Sequence, residues 1–330
     1  MNVLIFGGAG FVGRHYTKFF LEKNFKVHCV DNIAPLTGGV DPNKWLVCKP
    51  FSYRNFSFEK RDCRDFFKDK IKKKYDLIIN LAAIVGGREV IEYNPLAVAE
   101  DLEIDTSFWR WILKAKPSHV ITYSSSAAYP ISLQKKNNYR LLKESDISFQ
   151  SGLFGMPDMS YGWAKLNNEY LSRLAFEKYD IKNTVFRPFS GYGYDQDLNY
   201  PFPSIMKRAI FHKSDKDFIV WGTGNQMRDF IHISDVVRNS FILSKKIKNG
   251  NAINLSTSKF TSFIQLATLA LNFLGKKNIK VIGNSTRPEG VFARAGSFLL
   301  QKKYKITNKV TIKKGVENSL MLLKKIYNKN

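Results

Sequence analysis

The stretch NVLIFGGAGFVGRHYTKFFLEKNFKVHCVDN, residues 2 to 32, constrains this chain more than any other. An apolar run from Val3 to Phe6 enters Gly7-x-x-Gly10-x-x-Gly13. A helical pattern follows to about Lys23, and a second apolar run, Lys26 to Val30, ends at Asp31. A glycine at the first position permits a tight turn, the second lets backbone approach a pyrophosphate, and the third lets a helix pack closely on the strand. The helix N-terminus then offers free N–H groups to phosphates. The spacing predicts a βαβ unit that holds a dinucleotide against Gly7, Gly10, Phe11, Val12 and Gly13. Asp31 would accept hydrogen bonds from ribose hydroxyls and repel a 2′-phosphate, and no arginine stands beside it or Asn32 in VDNIAP. NAD is therefore expected rather than NADP.

The alternation continues down the chain. FSFEKRDC reads as a third strand ending at Asp62-Cys63, set to meet an adenine. YDLIINLAAIVGG is a continuous apolar strand ending in Asn80-Leu81-Ala82-Ala83, whose small residues let a cofactor lie against it. NPLAVAEDLEIDTSFWRWILKA reads as helix over about 95–115, and SHVITYSSS as another buried strand ending in serines. Strands alternating with helices predict an α/β, Rossmann-type doubly wound parallel sheet, with ligands above the carboxyl ends of its strands. The pattern loosens after about residue 190. Residues 1–190 are expected to form the dinucleotide-binding domain and 191–330 a smaller C-terminal α/β substrate lobe, with segments such as 226–258 returning to the first domain.

Composition excludes several classes. The 330 residues are 44% apolar without a run of 18, so neither a membrane span nor a signal peptide is expected. Three cysteines without paired spacing argue against disulfides and zinc, and suit a cytoplasmic protein. The five histidines show no ligand spacing, so no metal is expected, and His232 on an apolar strand reads as a core residue. A net charge of +24 raises nucleic acid as a partner. The lysines, however, are dispersed over turns and helix ends instead of being interleaved with aromatics on one face. An anionic small substrate is the expected beneficiary of that field.

Chemistry enters with MSYGWAKLNNEY, where Tyr161 and Lys165 stand four apart and so share a helix face. An ammonium beside a phenol favours the phenolate and would bring its pKa down from about 10 towards neutrality, making a general base.

Together, the glycine spacing, Asp31, Asn80 to Ala83, the serine cluster, Tyr161-x-x-x-Lys165, Arg187-Pro188 and RDFIHISDV (228 to 236) resemble an extended short-chain dehydrogenase/reductase of the nucleotide-sugar epimerase/dehydratase group. The likeness covers essentially the whole chain. It implies that Tyr161 exchanges a proton with a sugar hydroxyl, usually at C4, while hydride passes between that carbon and the nicotinamide. Lys165 would bind the nicotinamide ribose. The family's Ser or Thr stands four residues before a tyrosine; Tyr129 takes that place, which selects Ser125, with Ser126 as the alternative and Ser124 facing the cofactor. Pro188 would lie near the nicotinamide. Arg228 and Arg287 match positions that bind the nucleotide diphosphate in relatives, where a guanidinium fork suits phosphate oxygens. Val85, Gly86, Arg88, Ser190 and Phe202 complete the implied substrate set, Ser190 standing where many relatives have Asn. Relatives also pair the helices around 95–115 and 160–179 in a homodimer, and FWRW (108 to 111) carries more aromatic surface than one core readily hides.

Two alanines narrow the reaction. The family's 4,6-dehydratases place Asp-Glu after the Ser or Thr, and its GDP-sugar 3,5-epimerases place a Cys two positions on, with a His or Lys partner. Here Ser126-Ala127 follows, and Tyr200 stands near the partner position. AAIVGG and YP look most like the GDP-sugar branch. The expected activity is hydride transfer at C4 of a GDP- or UDP-sugar, as epimerase or as dehydrogenase/reductase. The alternatives are a 3,5-epimerase/reductase with a non-standard acid/base and, in a different class, a non-catalytic NAD-binding scaffold.

Overall fold

The computed structural model describes residues 1–85, 88–213, 216–287 and 289–328. Val3 to Phe6 have no exposed surface at all, which is what a strand covered on both faces requires. That strand, β1 (Asn2–Phe6), sits inside a seven-stranded sheet with β2 (Lys26–Asp31), β3 (Phe56–Lys60), β4 (Leu77–Asn80), β5 (His119–Tyr123), β6 (Asn183–Pro188) and β7 (Asn249–Leu255). The spatial order is 3-2-1-4-5-6-7 and every pairing is parallel. The pleat sends alternate side chains to opposite faces. Val3 and Ile5 join Tyr16 and Phe20 of helix α1 (Phe11–Leu21) on one side, while Leu4 and Phe6 join Phe108, Trp109 and Trp111 of α2 (Asp101–Ala115) on the other. Helix α3 (Met159–Tyr179) contributes Ala175 to the second face, and Val236, Val237 and Phe241 of α5 (Ile233–Ser244) belong to the first.

Phe108, Trp109 and Trp111 of the FWRW stripe are buried within the chain itself, at 0%, 5% and 4% exposure. Trp111 packs edge-on against Phe6 at 5.6 Å and lies 5.6 Å from Phe67, and the Trp109 indole donates to Asn168 Oδ1 at 3.0 Å. The helix supplied the aromatics; Phe6, Phe66 and Phe67, from other elements, supplied the wall that hides them.

Beyond β6 a second core forms around Tyr192, Phe202 and Met206, joined by Phe218, Leu266 and Leu320. It is built by helices α4 (Pro201–Phe211), α6 (Phe263–Phe273) and α7 (Ile312–Tyr327) with short strand pairs, among them Phe218–Trp221 beside Val281–Asn284. Between the two lobes the chain returns: α5 packs in the first core and β7 closes the sheet edge beside β6. Among the described residues no helix is long and apolar enough to cross a membrane.

Candidate active site

Where the strand order reverses between β1 and β4, an open parallel sheet leaves a crevice above its strand ends. Here that crevice is a cavity of about 1040 Å³, lined by both lobes. Gly7, Gly10, Phe11, Val12 and Gly13 form one wall, with Leu81, Ala82, Ala83 and Pro188 across from them. Gly7 has φ +73°, and a Cβ there would stand 2.6 Å from the Leu81 carbonyl carbon. A Cβ on Gly13 would stand 2.2 Å from the Gly7 carbonyl oxygen. Only glycine fits either place, so the turn presents bare backbone to the cavity beside the start of α1. The donor set and the absence of side-chain bulk fit the pyrophosphate of NAD.

The adenosine end departs from the expectation. Asp31 does not line the cavity; its carboxylate accepts the N–H groups of Ala9 (2.9 Å) and Ile33 (2.7 Å). Burial pushes that carboxyl above its usual range, and the backbone donors pull the other way. Asn32 accepts from Ala34 N–H and donates to Asp62 at 3.3 Å. Asp62 caps the short helix Cys63–Phe66 and takes the Arg64 guanidinium at 2.9 and 3.0 Å. The Cys63 thiol is pushed up to about 12 by burial. Neither Asp62 nor Cys63 reaches the cavity wall, because both are spent on ending β3 and starting that helix.

The serine-tyrosine-lysine set converges. Ser125 initiates the turn Ser126–Ala128, accepting the Ala127 N–H at 3.1 Å, and its hydroxyl works to lower the pKa of the Tyr161 phenol. The Lys165 ammonium lies 5.5 Å from the centre of the Tyr161 ring. All three line the cavity, and Ser126 does not. Ser124 reaches the wall, yet its hydroxyl is held by the Glu169 carboxylate. Ala127 also lines the cavity, and its carbonyl accepts the Asp158 N–H at 2.9 Å. Gly162 passes so close that a Cβ there would meet the Ala127 oxygen at 2.5 Å. The alanines are the tight seat of the tyrosine helix.

Two acids absent from every motif join the set. Asp101 pairs with Lys165 at 3.2 Å and also accepts the Ile84 N–H at 2.6 Å. Asp105, one turn along α2, lines the cavity and is pushed by burial to about 7. Burial works against the Lys165 charge, but Asp101, Tyr161 and Asp105 outweigh it and hold its pKa above the ordinary lysine value. The Tyr161 phenol is raised, not lowered as the Tyr-Lys spacing predicted. Burial is the largest cause; Lys165, Ser125 and Arg294 pull down, and Asp101 pushes up.

At the far end Val85, Ser190, Phe202 and Arg228 line the cavity. Arg228 donates to the carbonyls of Met227 and Val291 at 2.9 Å each, fixing its guanidinium. Arg287 is exposed and lies over the Trp221 ring at 5.4 Å, at the rim and not in the wall. Gly86 and the Arg88 side chain lie outside the described residues; Arg88 begins the helix Arg88–Tyr93. Tyr200 lines the wall and donates to the Val85 carbonyl at 3.3 Å. Arg294, which no motif marked, lines it too, held by Asp158 at 2.7 Å and Gln134 at 2.5 Å. His232 is a half-buried cap of α5, accepting the Ser234 N–H, and is not a core residue.

A family model described as the NAD dependent epimerase/dehydratase family matches residues 3–256. A Bacillus subtilis protein named as an uncharacterized UDP-glucose epimerase, YtcB, is 24% identical, with 99% of each chain covered. The fold is similar to that of the Thermotoga maritima UDP-glucose 4-epimerase solved with UDP-glucose (TM-score 0.82, 21% identity, 99% and 100% of the two chains). It is similar also to the Bacillus cereus UDP-glucuronic acid 4-epimerase solved with UDP-glucuronic acid and NAD (TM-score 0.81, 21% identity, 99% and 100%). The chain belongs to the NAD-dependent epimerase/dehydratase family.

Proposed function

We propose that the protein acts on a nucleotide-diphosphate sugar at C4, as an epimerase or as a net dehydrogenase. The observation that carries this reading is the Ser125, Tyr161 and Lys165 set opening on a cavity in which Ala127, not a carboxyl or thiol, follows the serine turn. Bound NAD supplies a reversible acceptor for hydride. Tyr161 then takes the proton of the C4 hydroxyl and returns it, Ser125 holds the same oxygen, and Lys165 anchors the ribose and steadies the phenolate. Arg228 is the diphosphate contact and Arg287 closes on it from the rim.

UDP-glucose, UDP-glucuronic acid and GDP-mannose are the first substrates to try; the named UDP-sugar relatives favour the first two. Epimerisation beside a ketone needs a group that removes a carbon-bound proton, and dehydration needs an acid to expel a hydroxyl. With neither at Ala127, turnover in D₂O should give C4 chemistry with no deuterium at C3 or C5 and no loss of water. Nuclear magnetic resonance of the product reads both. Deuterium at C3 or C5 would overturn the reading and turn attention to Tyr200, whose phenol shares the cavity.

We propose that Asp31 disfavours NADP by its charge at the end of β2, although its carboxylate accepts the Ala9 and Ile33 N–H groups instead of lining the cavity. Replacing it with Ala should weaken NAD and narrow the preference over NADP, measured by calorimetric titration; tighter NADP binding to the unaltered enzyme would refute this assignment. We further propose a cytoplasmic homodimer. The free thiols of Cys29, Cys48 and Cys63 suit a reducing compartment. Leu102 on α2 and Trp163 and Tyr170 on α3 stay 40%, 44% and 45% exposed, an apolar strip that a second copy would cover. Light scattering should give twice the 37.9 kDa chain mass. A mass of one chain at micromolar concentration would rule the dimer out.

A further inference from the structure

The Lys165 ammonium has two neighbours that want its charge. On its own helix the Tyr161 ring centre is 5.5 Å away; from α2, Asp101 Oδ2 is 3.2 Å away. Both members of the ion pair are almost completely buried, at 6% and 1% side-chain exposure. Water therefore screens neither, and an ion pair out of solvent is far stronger than one at the surface. A cation whose field is largely cancelled by a carboxylate 3.2 Å away can stabilise a neighbouring phenolate much less than a free one.

The other groups facing Tyr161 do not undo this. Ser125 and Arg294 both lower its pKa, but Arg294 is itself paired with Asp158 at 2.7 Å. From the segment before α4, Tyr200 is raised by burial and by Tyr161, so it adds no positive charge. Asp105, on α2, faces Lys165 and Asp101 and adds a further negative centre to the lysine's surroundings once ionised.

We propose that Asp101 is a positioning residue that holds the Lys165 ammonium in a buried ion pair and thereby sets the pH at which Tyr161 can accept a proton. The proposal rests on the reading of Tyr161 as the proton-exchanging group, and it gives that group an adjustable strength. While Asp101 retains Lys165, the phenol keeps its proton to higher pH. Whatever draws Lys165 away from Asp101 towards Tyr161 arms the base. Asp101 also fixes the start of the 84–85 segment through the Ile84 N–H, so loss of activity on mutation would not separate the electrostatic role from a structural one.

Direct titration of Tyr161 separates them. Tyrosinate absorbance is recorded against pH for the protein and for Tyr161→Phe, and the difference isolates the one phenol, with no sugar substrate present. In Asp101→Asn the side chain still accepts from Ile84 but carries no charge, and the Tyr161 midpoint should fall by about one pH unit or more. Asp101→Glu, which restores the charge, should return it towards the original value. A midpoint in Asp101→Asn that is unchanged or higher overturns the proposal. Should that variant not fold, Asp101→Ser carries the same comparison with the same two outcomes. The titration and the function stand apart. A shifted midpoint in a protein inactive on every sugar nucleotide would sink the reaction and leave the ion-pair role intact. An active enzyme with an unmoved midpoint would do the reverse.

Discussion

Tyr161→Phe is expected to lower turnover by about a hundredfold or more, the usual range for loss of a general acid/base, while leaving NAD affinity and the unfolding midpoint close to those of the unaltered protein. The phenol hydroxyl is the only atom removed. The ring stays packed beside Lys165 and the helix that carries it is unchanged, so the substitution isolates proton exchange from binding. Steady-state kinetics on the sugar nucleotide that turns over, with calorimetric titration of NAD, measures both halves. Activity within a few-fold of the original removes Tyr161 from the mechanism. A parallel loss of NAD affinity would mean that the hydroxyl binds cofactor and that kinetics alone misassigned it. Because burial raises the Tyr161 phenol, turnover in the direction that removes the hydroxyl proton should also rise with pH through the neutral range, and Tyr161→Phe should abolish that rise.

What could be read from the sequence was whatever chemistry writes into a short local spacing. Gly7 and Gly13 must be glycine because backbone stands within 2.6 Å of where a Cβ would be, and a Cβ on Gly10 would stand 3.2 Å from the Gly7 carbonyl oxygen, so the constraint leaves a period in the chain. Tyr161 and Lys165 share a face of α3 because helix geometry fixes residues four apart, whereas Ser125 is picked out by the family resemblance, which places the serine four residues before Tyr129. The β1 pattern of four consecutive apolar residues is the mark of a strand covered on both sides, and the alternation of their side chains between two cores follows from the pleat.

The rest depended on pairs separated by long stretches of chain. Asp101 meets Lys165 only because α2 and α3 pack together, although a pair of acids four apart inside the apolar run DLEIDTSFWRWI was a signal that one face had something charged to satisfy. Burial first, and the Asp101 counter-charge after it, are why the Tyr-Lys spacing gave the wrong direction for the phenol: periodicity shows the cation and hides both. Arg294 is recruited through Asp158 and Gln134, more than a hundred residues earlier, and nothing local distinguishes it from the surface arginines. Arg287 matched a family position and lies over Trp221 at the rim of the cavity. FWRW misled because periodicity counts the aromatics on a helix without counting the phenylalanines that will face them.

Glu169→Ala should be the most destabilising single substitution near the site, by about 3–5 kcal/mol, against a total stability of about 5–15 kcal/mol for an ordinary domain. Glu169 takes the Arg187 guanidinium in a two-pronged pair, at 2.7 Å from Nε and 2.6 Å from Nη2. The side chains are 2% and 3% exposed, so no water can replace the lost carboxylate. Burial works against the Arg187 charge and Glu169 and Tyr129 offset it. Because a guanidinium does not give up its proton at any relevant pH, the variant without Glu169 keeps a full positive charge in a dry interior. The same carboxylate holds the Ser124 hydroxyl, and Arg187 in turn donates to the Tyr129 phenol at 2.9 Å, so the loss spreads to both flanks of Ser125. Urea unfolding should show the midpoint falling with little change in slope, since the area exposed on unfolding is the same. Arg187→Met, which removes the charge together with the need for its partner, should not add to the cost of Glu169→Ala in the double variant and should recover part of it. A Glu169→Ala protein within about 1 kcal/mol of the original would show that the buried charge finds another partner, for which Glu144, whose carbonyl is 3.4 Å from Arg187, is the nearest candidate.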